Sequence, residues 1–250
     1  WEHLKDLLSR CVILLSGSGI EIAPPLLPLH TLPYFRKGVR RIYLTATLPS
    51  HVEFIRTFGV VGATRIAPGG KSGEAQRLFL FLSGESDEEQ KEIATILVEN
   101  TKACIITSSG RAADAWAIGT KFDGKYGHAA IESFGKAESP EKIVLAARYD
   151  GIDLPGTACR VLILDGLPVG ASFIDRFMDQ GLRIEKLRLS HMATRIVQAI
   201  GRIFRSNTDH GAVLVCGTEL QCWLLDPNLR FLPSFCTANF CYLSIELRRM

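Results

Sequence analysis

The sequence predicts an α/β protein in which an open parallel sheet is flanked by helices. From Arg77 onward, short apolar runs alternate with segments of helical character, the order typical of parallel strands joined by crossover helices. The runs are rich in Ile, Val and Leu, as buried strands are. A capping box, which marks the start of a helix, lies between the first two runs. Strands are therefore predicted at 78–82, 103–107, 142–147, 160–164 and 211–216.

Helices are predicted in the intervals between these strands. Ser86 and Glu89 form the capping box, so the first helix should run to about Glu99. Residues 108–111 follow the second strand and open a helix toward Trp116. Further helices are expected over 172–180 and 182–205, whereas the polar, Gly-rich residues 121–140 are expected to be irregular.

Composition excludes several classes of protein. With 47% hydrophobic and 22% charged residues, the chain resembles an ordinary globular protein with a large core. It has no apolar run near the roughly 18 residues of a membrane span and no signal-like start, so a cytoplasmic protein is expected, nucleoid-associated if bacterial. A net charge of +3 permits an anionic partner without requiring one. The seven cysteines lack CxxC spacing, which favours reduced, structural thiols, and no metal site is predicted.

Residues 195–206, RIVQAIGRIFRS, predict an amphipathic helix with a cationic polar face. A solvated face normally mixes acidic and basic residues at offsets of three and four, so this face is expected to meet an anionic partner. Gly201, which costs about 1 kcal/mol against alanine inside a helix, would allow a close approach beside Arg202. At about 100° per residue, one stripe carries His191, Arg195, Gln198, Arg202 and Arg205, and the opposite stripe carries Leu189, Met192, Ile196, Ile200 and Ile203.

The spacing Q-x-x-G-R-x-x-R, from Gln198 to Arg205, resembles motif VI of superfamily 2 helicases. In that family, two arginines reach from the second RecA-like domain to the phosphates of ATP bound on the first, and the later one is the arginine finger. The resemblance assigns these roles to Arg202 and Arg205, with Gln198 beside them in the catalytic motif. Because short motifs match by chance, a basic surface helix is the alternative interpretation of this motif alone.

A second resemblance lies in the predicted strand at 41–48, where Thr45, Ala46 and Thr47 resemble helicase motif III. The family's hydroxyls at this motif bond the acidic ATPase motif of the first domain and couple it to the nucleic-acid site. A Thr-rich strand end is the alternative. The position of these residues upstream of the other motifs follows the family order.

A third resemblance is ARYDGIDLPG, residues 147–156, which is similar to motif V. The resemblance implies that Gly151 and Asp153 contribute to the ATP site, with the Asp153 carboxylate accepting from the ribose or from a motif VI arginine. Arg148 departs from the commonest form of the motif and is a candidate for a contact with the nucleic-acid backbone. An ordinary Asp/Gly turn is the alternative.

The loop after the second predicted strand is a candidate nucleic-acid contact. Ser108, Ser109 and Arg111 stand at the carboxyl end of that strand, where ligands of open α/β sheets gather. The corresponding motif IV loop of helicases contacts the nucleic-acid backbone, and hydroxyls and an arginine suit phosphate. Simple helix capping by the serines is an equal alternative.

Over about residues 38–220 the motifs together resemble superfamily 2 helicases, closest to the xeroderma pigmentosum group D and DinG type branch or its DEAD/DEAH-box relatives. The resemblance implies a RecA-like, P-loop NTPase-type second helicase domain. The organisation it implies is the end of a first RecA-like domain (1–60), a linker (61–76), the second RecA-like domain (77–220) and an unassigned tail (221–250).

The implied function is the C-terminal half of an ATP-dependent helicase or translocase. ATP and Mg²⁺ would be bound mainly by a first domain, and the partners would be that N-terminal RecA-like domain and single-stranded DNA or RNA, with DNA favoured. This chain alone is expected to be inactive, because it has neither a DExD/H acid motif nor a Walker A loop. The GGKS at 69–72 fails the P-loop pattern, since Arg65 stands where a glycine is required.

Two other classes of protein remain possible. A noncatalytic RecA-like module that binds nucleic acid or regulates a partner is the stronger alternative, because the ATP-loading motifs are missing from the sequence. A Rossmann-type metabolic enzyme is disfavoured, since no G-x-G-x-x-G follows a strand. The sequence does not decide between DNA and RNA, the direction of translocation, the pathway or the oligomeric state.

Overall fold

The structure is a computed structural model. Its residues form two compact units, Trp1–Ala67 with Gly170–Ile184, and Pro68–Val169 with Glu185–Met250. The residues described are 2–24, 26–35, 38–44, 51–66, 76–82, 86–122, 127–149, 152–154, 156–168, 172–177, 181, 185–204, 208–225, 227–232 and 243–245.

The strands and helices are named in chain order. The strands are β1 (Val12–Ser16), β2 (Gly19–Ala23), β3 (Gln76–Leu82), β4 (Ala103–Thr107), β5 (Thr120–Phe122), β6 (Lys142–Ala146), β7 (Val161–Asp165), β8 (His210–Cys216) and β9 (Leu243–Ile245). The helices are α1 (His51–Phe58), α2 (Asp87–Leu97), α3 (Gly110–Asp114), α4 (Gly127–Lys136), α5 (Phe173–Arg176), α6 (Glu185–Ile200) and α7 (Thr218–Leu225). Within the part of the chain that is described, no helix is both long and apolar enough to cross a membrane.

The first unit contains an antiparallel hairpin of β1 and β2 that holds α5. The Glu21 carboxylate on β2 accepts hydrogen bonds from the backbone N–H groups of Phe173, at 2.5 Å, and Ile174, at 3.4 Å. Ser172 caps the same helix, because its hydroxyl accepts from the Asp175 N–H at 3.0 Å. Residues 172–176 are thus fixed to a hairpin that lies about 150 positions earlier in the chain.

The strand predicted at 41–48 is wrong where the structure describes it. Residues 41–44 form no strand, and 45–48 lie outside the described residues. The Tyr43 ring instead packs against two aromatic rings of α1, with centroids 5.0 Å from Phe54 and 4.6 Å from Phe58. Aromatic packing on a helix therefore replaces the strand pairing that the β-forming composition suggested.

The second unit is built on a seven-stranded sheet in the order β5-β6-β4-β7-β8-β3-β9. The neighbouring strands pair in parallel. Thr107 at the end of β4 is in register with Ala146 of β6 and Asp165 of β7, and Asp165 with Cys216 of β8. The carboxyl ends of the four central strands therefore lie level at one edge.

Both faces of this sheet are covered, as the buried-strand composition predicted. Successive side chains of β4 point to opposite sides, so Cys104 and Ile106 join one core while Ala103 and Ile105 join the other. The first core includes residues of α4, α6 and α7, and the second includes residues of α2 and α3. The α/β class with a parallel sheet flanked by helices is thus confirmed.

The capping box is found at its predicted place. Ser86 is the N-cap of α2, and its hydroxyl accepts a hydrogen bond from the Glu89 N–H at 3.2 Å. The helix ends at Leu97, close to the expected Glu99. The five predicted strands are also found, with bounds shifted by at most two residues.

Two predictions about the helices are corrected, and part of the unassigned tail is placed. The supposedly irregular stretch 121–140 contains the end of β5 and all of α4, which buries Ile131 and Phe134 at a helical spacing that the Gly-rich surroundings obscured. Helix α6 ends at Ile200 and does not continue to Arg205. Residues 221–250, left unassigned, supply the end of α7 and the edge strand β9.

The backbone changes at Gly201, directly after α6. After Ile200 the backbone tightens, with Arg202 N–H bonding Ala199 O at 3.1 Å and Ile203 N–H bonding Ile200 O at 3.4 Å. The Arg202 carbonyl accepts from the Leu154 N–H at 3.0 Å. Gly201 therefore lies just after the helix, where a glycine has little cost.

Candidate functional site

The segments that follow β4 and β6 meet at the carboxyl edge of the sheet. The carbonyl oxygen of Thr107 accepts hydrogen bonds from the Ala147 N–H at 2.8 Å and from the Tyr149 hydroxyl at 3.3 Å. Because these two parallel strands are neighbours in the sheet, residues 108–111 follow directly beside the loop at 147–154. Two of the predicted motif segments are thus brought together at the edge where open α/β sheets bind ligands.

Ala147 has a strained backbone at this junction. Its φ of 48° lies in the left-handed region. Among the described residues, Ala147 is the one non-glycine residue with a positive φ. Such a conformation costs on the order of 1–3 kcal/mol and tends to occur at functional sites. The hydrogen bond to Thr107 helps to hold it, and the next residue is the candidate contact Arg148.

Arg202 connects the two segments that were predicted as motifs V and VI. Its Nε donates to the carbonyl oxygen of Tyr149 at 2.8 Å, and its Nη1 donates to that of Ile152 at 3.1 Å. The Leu154 N–H returns a bond to the Arg202 carbonyl at 3.0 Å. The Arg202 residue therefore holds Tyr149, Ile152 and Leu154 in place, a role that the sequence did not predict.

Arg148 is half-buried on the same loop. Its Nη1 atom is shielded from solvent and has no hydrogen-bond partner among the residues that the structure describes. A buried guanidinium N–H without an acceptor is unfavourable by roughly 1–3 kcal/mol or more. An anionic group arriving from outside would supply the missing acceptor.

The segment after β4 combines capping with exposure. Ser109 is the N-cap of α3, because its hydroxyl accepts from the Ala112 N–H at 3.1 Å, so the capping alternative holds for this serine. Ser108 is half-buried, and its N–H donates to the Asp165 carbonyl at 3.0 Å. Arg111 is exposed on α3, where its charge is accessible from solvent.

The other predicted site residues are placed less completely. Asp153 is exposed between buried Ile152 and Leu154, and Gln198 is half-buried on α6. The predicted amphipathic pattern of α6 is confirmed, because its apolar stripe is buried and His191 on the polar stripe is exposed. Outside the described residues lie Gly151, Arg205, Thr45, Ala46 and Thr47.

Tyr149 is a residue of this edge that sequence reasoning missed. Burial raises the pKa of its hydroxyl above the ordinary value, an effect that the nearby Arg195 charge opposes. The hydroxyl is therefore protonated at neutral pH and donates its bond to Thr107. Its position in ARYDGID, flanked by the candidate Arg148, was the available signal.

Asp165 is a second residue that was missed. It is 5% exposed at the end of β7, accepts from the Trp116 indole N–H at 2.8 Å, and lies 3.8 Å from the Lys91 ammonium. Burial raises the pKa of the Asp165 carboxyl, and the bond from Trp116 lowers it in part. Among the described residues, no group of three or more His, Cys, Asp or Glu side chains could hold a metal ion.

The chain belongs to a helicase family. Residues 78–221, more than half of the chain, match the family model described as "Helicase C-terminal domain", the domain of the xeroderma pigmentosum group D and DinG type. Strands β4 to β8 fall within these residues, β3 begins two residues before them and β9 lies beyond them, so the second unit contains the helicase C-terminal domain. No curated protein matches the sequence.

Solved helicase structures resemble the chain at low identity. Xpd4 of S. tokodaii shares 14% identity at a TM-score of 0.45, covering 74% of this chain and 41% of that one. Domain 2 of the DEAD-box helicase Mss116p, bound to an RNA duplex, shares 15% identity at a TM-score of 0.42, covering 70% of this chain and 65% of that one. UvsW of T4 shares 10% identity at a TM-score of 0.38, covering 70% of this chain and 42% of that one. This chain therefore spans less than two thirds of each of these proteins.

Proposed function

We propose that this chain is the C-terminal half of an ATP-dependent helicase or translocase that acts on single-stranded nucleic acid, with DNA favoured over RNA. Its second unit would supply motif VI arginines and strand contacts to an ATP site loaded by a first RecA-like domain. The observation that carries the proposal is the pair of bonds from Arg202 to the carbonyls of Tyr149 and Ile152. They join motifs V and VI into one structural element of a chain that belongs to the helicase family.

The donor chemistry of this element fits part of an ATP site. Arginines near Asp153 offer planar, permanently charged donors of the kind that bind phosphate oxygens. The exposed Asp153 carboxylate could accept from ribose hydroxyls. The glycine-rich loop that cradles phosphates is missing from the sequence, so ATP and Mg²⁺ are assigned mainly to the first domain.

The proposed division of chemistry follows from charge. During phosphoryl transfer, negative charge builds on the transferring group, and Mg²⁺ neutralises part of it. Arg205 is proposed to stabilise the remainder as the arginine finger. Arg202 holds the loop at 149–154, and Gln198 and Gly151 complete the two motifs. Thr45, Ala46 and Thr47 are proposed to couple this ATP site to the bound nucleic acid, as motif III does in the family.

The proposed contacts with single-stranded nucleic acid lie at the carboxyl ends of β4 and β6. Ser108, Ser109 and Arg111 follow β4, and Arg148 follows the neighbouring β6. The buried Nη1 of Arg148 without an acceptor, together with the strained Ala147, supports an anionic partner at this position. Contacts of this kind hold the phosphate backbone and carry little sequence information.

Comparing the isolated chain with the full-length protein tests the proposal. Residues 1–250 alone should not hydrolyse ATP, whereas the full-length protein should, with stimulation by single-stranded DNA. Binding to single strands should weaken with salt, and Arg148→Met should reduce the salt slope by about one. Strand binding without any ATP turnover in the full-length protein would favour the noncatalytic module. Sustained turnover by residues 1–250 alone would contradict the proposed division of the site.

A further inference from the structure

Arg77 is a buried cation at the start of β3. It is 6% exposed, although arginine is almost never fully buried without a specific partner. Its guanidinium carbon lies 5.3 Å from the centroid of the Phe204 ring, and Phe204 is 5% exposed. A cation over an aromatic face is attracted to it most strongly where water is excluded, as here.

The sheet explains why these two side chains meet. Side chains of a strand alternate between faces, so Arg77 shares its face with Phe79 and Phe81. Those two residues belong to the same core as Phe204. Arg77 is also in register with Gly211, where an added Cβ would lie 2.2 Å from the Arg160 carbonyl oxygen. The backbone of β8 opposite Arg77 is therefore packed tightly against the backbone of residue 160.

Phe204 lies directly after the turn that follows α6. Helix α6 has ended at Ile200, and residues 201–203 form a tight turn. Arg202 anchors the turn through its bonds to Tyr149 and Ile152. The ring of Phe204, directly after the turn, contacts the Arg77 guanidinium, and Arg205 is the next residue in the sequence.

We infer that Arg77 is a positioning residue for Arg205. It holds the ring of Phe204, the residue that immediately precedes Arg205 in the sequence. This inference rests on the proposed function, because it matters for turnover only if Arg205 completes an ATP site. Arg77 is the second residue of the strand that opens the second unit, so the entry of the chain into this unit and the end of motif VI are held by one contact.

The test compares three variants of the full-length protein. Arg77→Met keeps much of the packing volume and loses the charge, and Arg77→Lys keeps the charge without the planar group. Arg230→Met is the matched control, since the guanidinium carbon of the exposed Arg230 lies 5.1 Å from the ring of the half-buried Phe231. The readouts are kcat and KM for strand-stimulated ATP hydrolysis, strand affinity, Tm, and hydrogen exchange of the amides at 201–204.

Arg77→Met should lower kcat about 10- to 100-fold, the scale of a misplaced catalytic group. The KM for ATP and the affinity for single-stranded nucleic acid should change by less than about twofold, because neither depends on the arginine finger Arg205. Exchange at 201–204 should accelerate while exchange in β4 stays the same. Arg77→Lys should restore part of kcat, and Arg230→Met should match the wild type.

Two results would overturn the inference alone. One is a normal kcat in Arg77→Met alongside a wild type that hydrolyses ATP. The other is a joint loss of kcat, strand affinity and Tm that Arg77→Lys does not relieve, which is the pattern of a general core defect. A wild type with no strand-stimulated hydrolysis would instead refute the proposed function, and this inference with it.

Discussion

Replacing Arg202 by methionine should destabilise the protein far more than a surface arginine would. The change removes two hydrogen bonds from a charged donor, at 2.8 and 3.1 Å, and leaves the Tyr149 and Ile152 carbonyls without these partners. Bonds to charged groups contribute roughly 1.5–3 kcal/mol each. Since Arg202 is only half-buried, the lower end applies, which gives about 3 kcal/mol for the pair.

Thermal unfolding followed by circular dichroism measures this loss. For a protein of this size, 1 kcal/mol shifts Tm by roughly 2–4 °C, so Arg202→Met should lower Tm by about 6–12 °C. Arg202→Lys should recover about half of the loss, because one ammonium cannot reproduce the planar fork that reaches both carbonyls. Arg160→Met is the control, since the exposed Arg160 should change stability by no more than about 0.5 kcal/mol. A Tm shift below about 2 °C in Arg202→Met would refute the role of Arg202 in holding the loop.

Two further predictions concern stability. Gly211→Ala should cost about 3 kcal/mol in thermal unfolding, because its Cβ would lie 2.2 Å from the Arg160 carbonyl oxygen, whereas Gly110→Ala, with no atom within 4 Å, should be nearly neutral. Trp116→Phe removes the bond to the Asp165 carboxylate and should destabilise the protein at pH 7 by about 2 kcal/mol. The pKa of Asp165 is raised by burial, so the folded state binds this proton more tightly than the unfolded state. The stability that this group contributes is therefore lost as pH rises above the ordinary carboxyl pKa. Since the indole N–H bonds the ionised carboxylate, the destabilisation by Trp116→Phe should shrink as pH falls from 7 toward the ordinary carboxyl pKa. An equal destabilisation at pH 7 and near that pKa would contradict this reasoning.

Five strands of the second unit, β3, β4, β6, β7 and β8, could be predicted from sequence because each is a short apolar run that is largely buried. β4 illustrates this, since all five of its residues are buried. Helix α4 escaped prediction because its buried Ile131 and Phe134 are surrounded by glycine and polar residues that favour loops. The end of α6 escaped because a glycine such as Gly201 is tolerated inside a helical pattern, and the bond from the Leu154 N–H to the Arg202 carbonyl is a tertiary contact without a local signature.

The candidate site could be predicted residue by residue but not contact by contact. Motif spacing identified Arg202, yet its partners Tyr149 and Ile152 lie about 50 positions earlier in the chain. The same distance in sequence separates Trp116 from Asp165, whose bond has no local signature. Contacts of this range depend on which strands become neighbours, and a single sequence does not encode that order in any short pattern.

The most direct test of the central claim is the rate of ATP hydrolysis by the full-length protein with Arg205→Ala. An arginine finger contributes about 10³-fold or more to turnover, so the variant should lose at least that factor. Its affinity for single strands and its Tm should stay near the wild-type values, and Arg205→Lys should restore little, because an ammonium cannot span two phosphate oxygens. A near-normal rate in Arg205→Ala would remove Arg205 from the ATP site and contradict the proposed helicase mechanism.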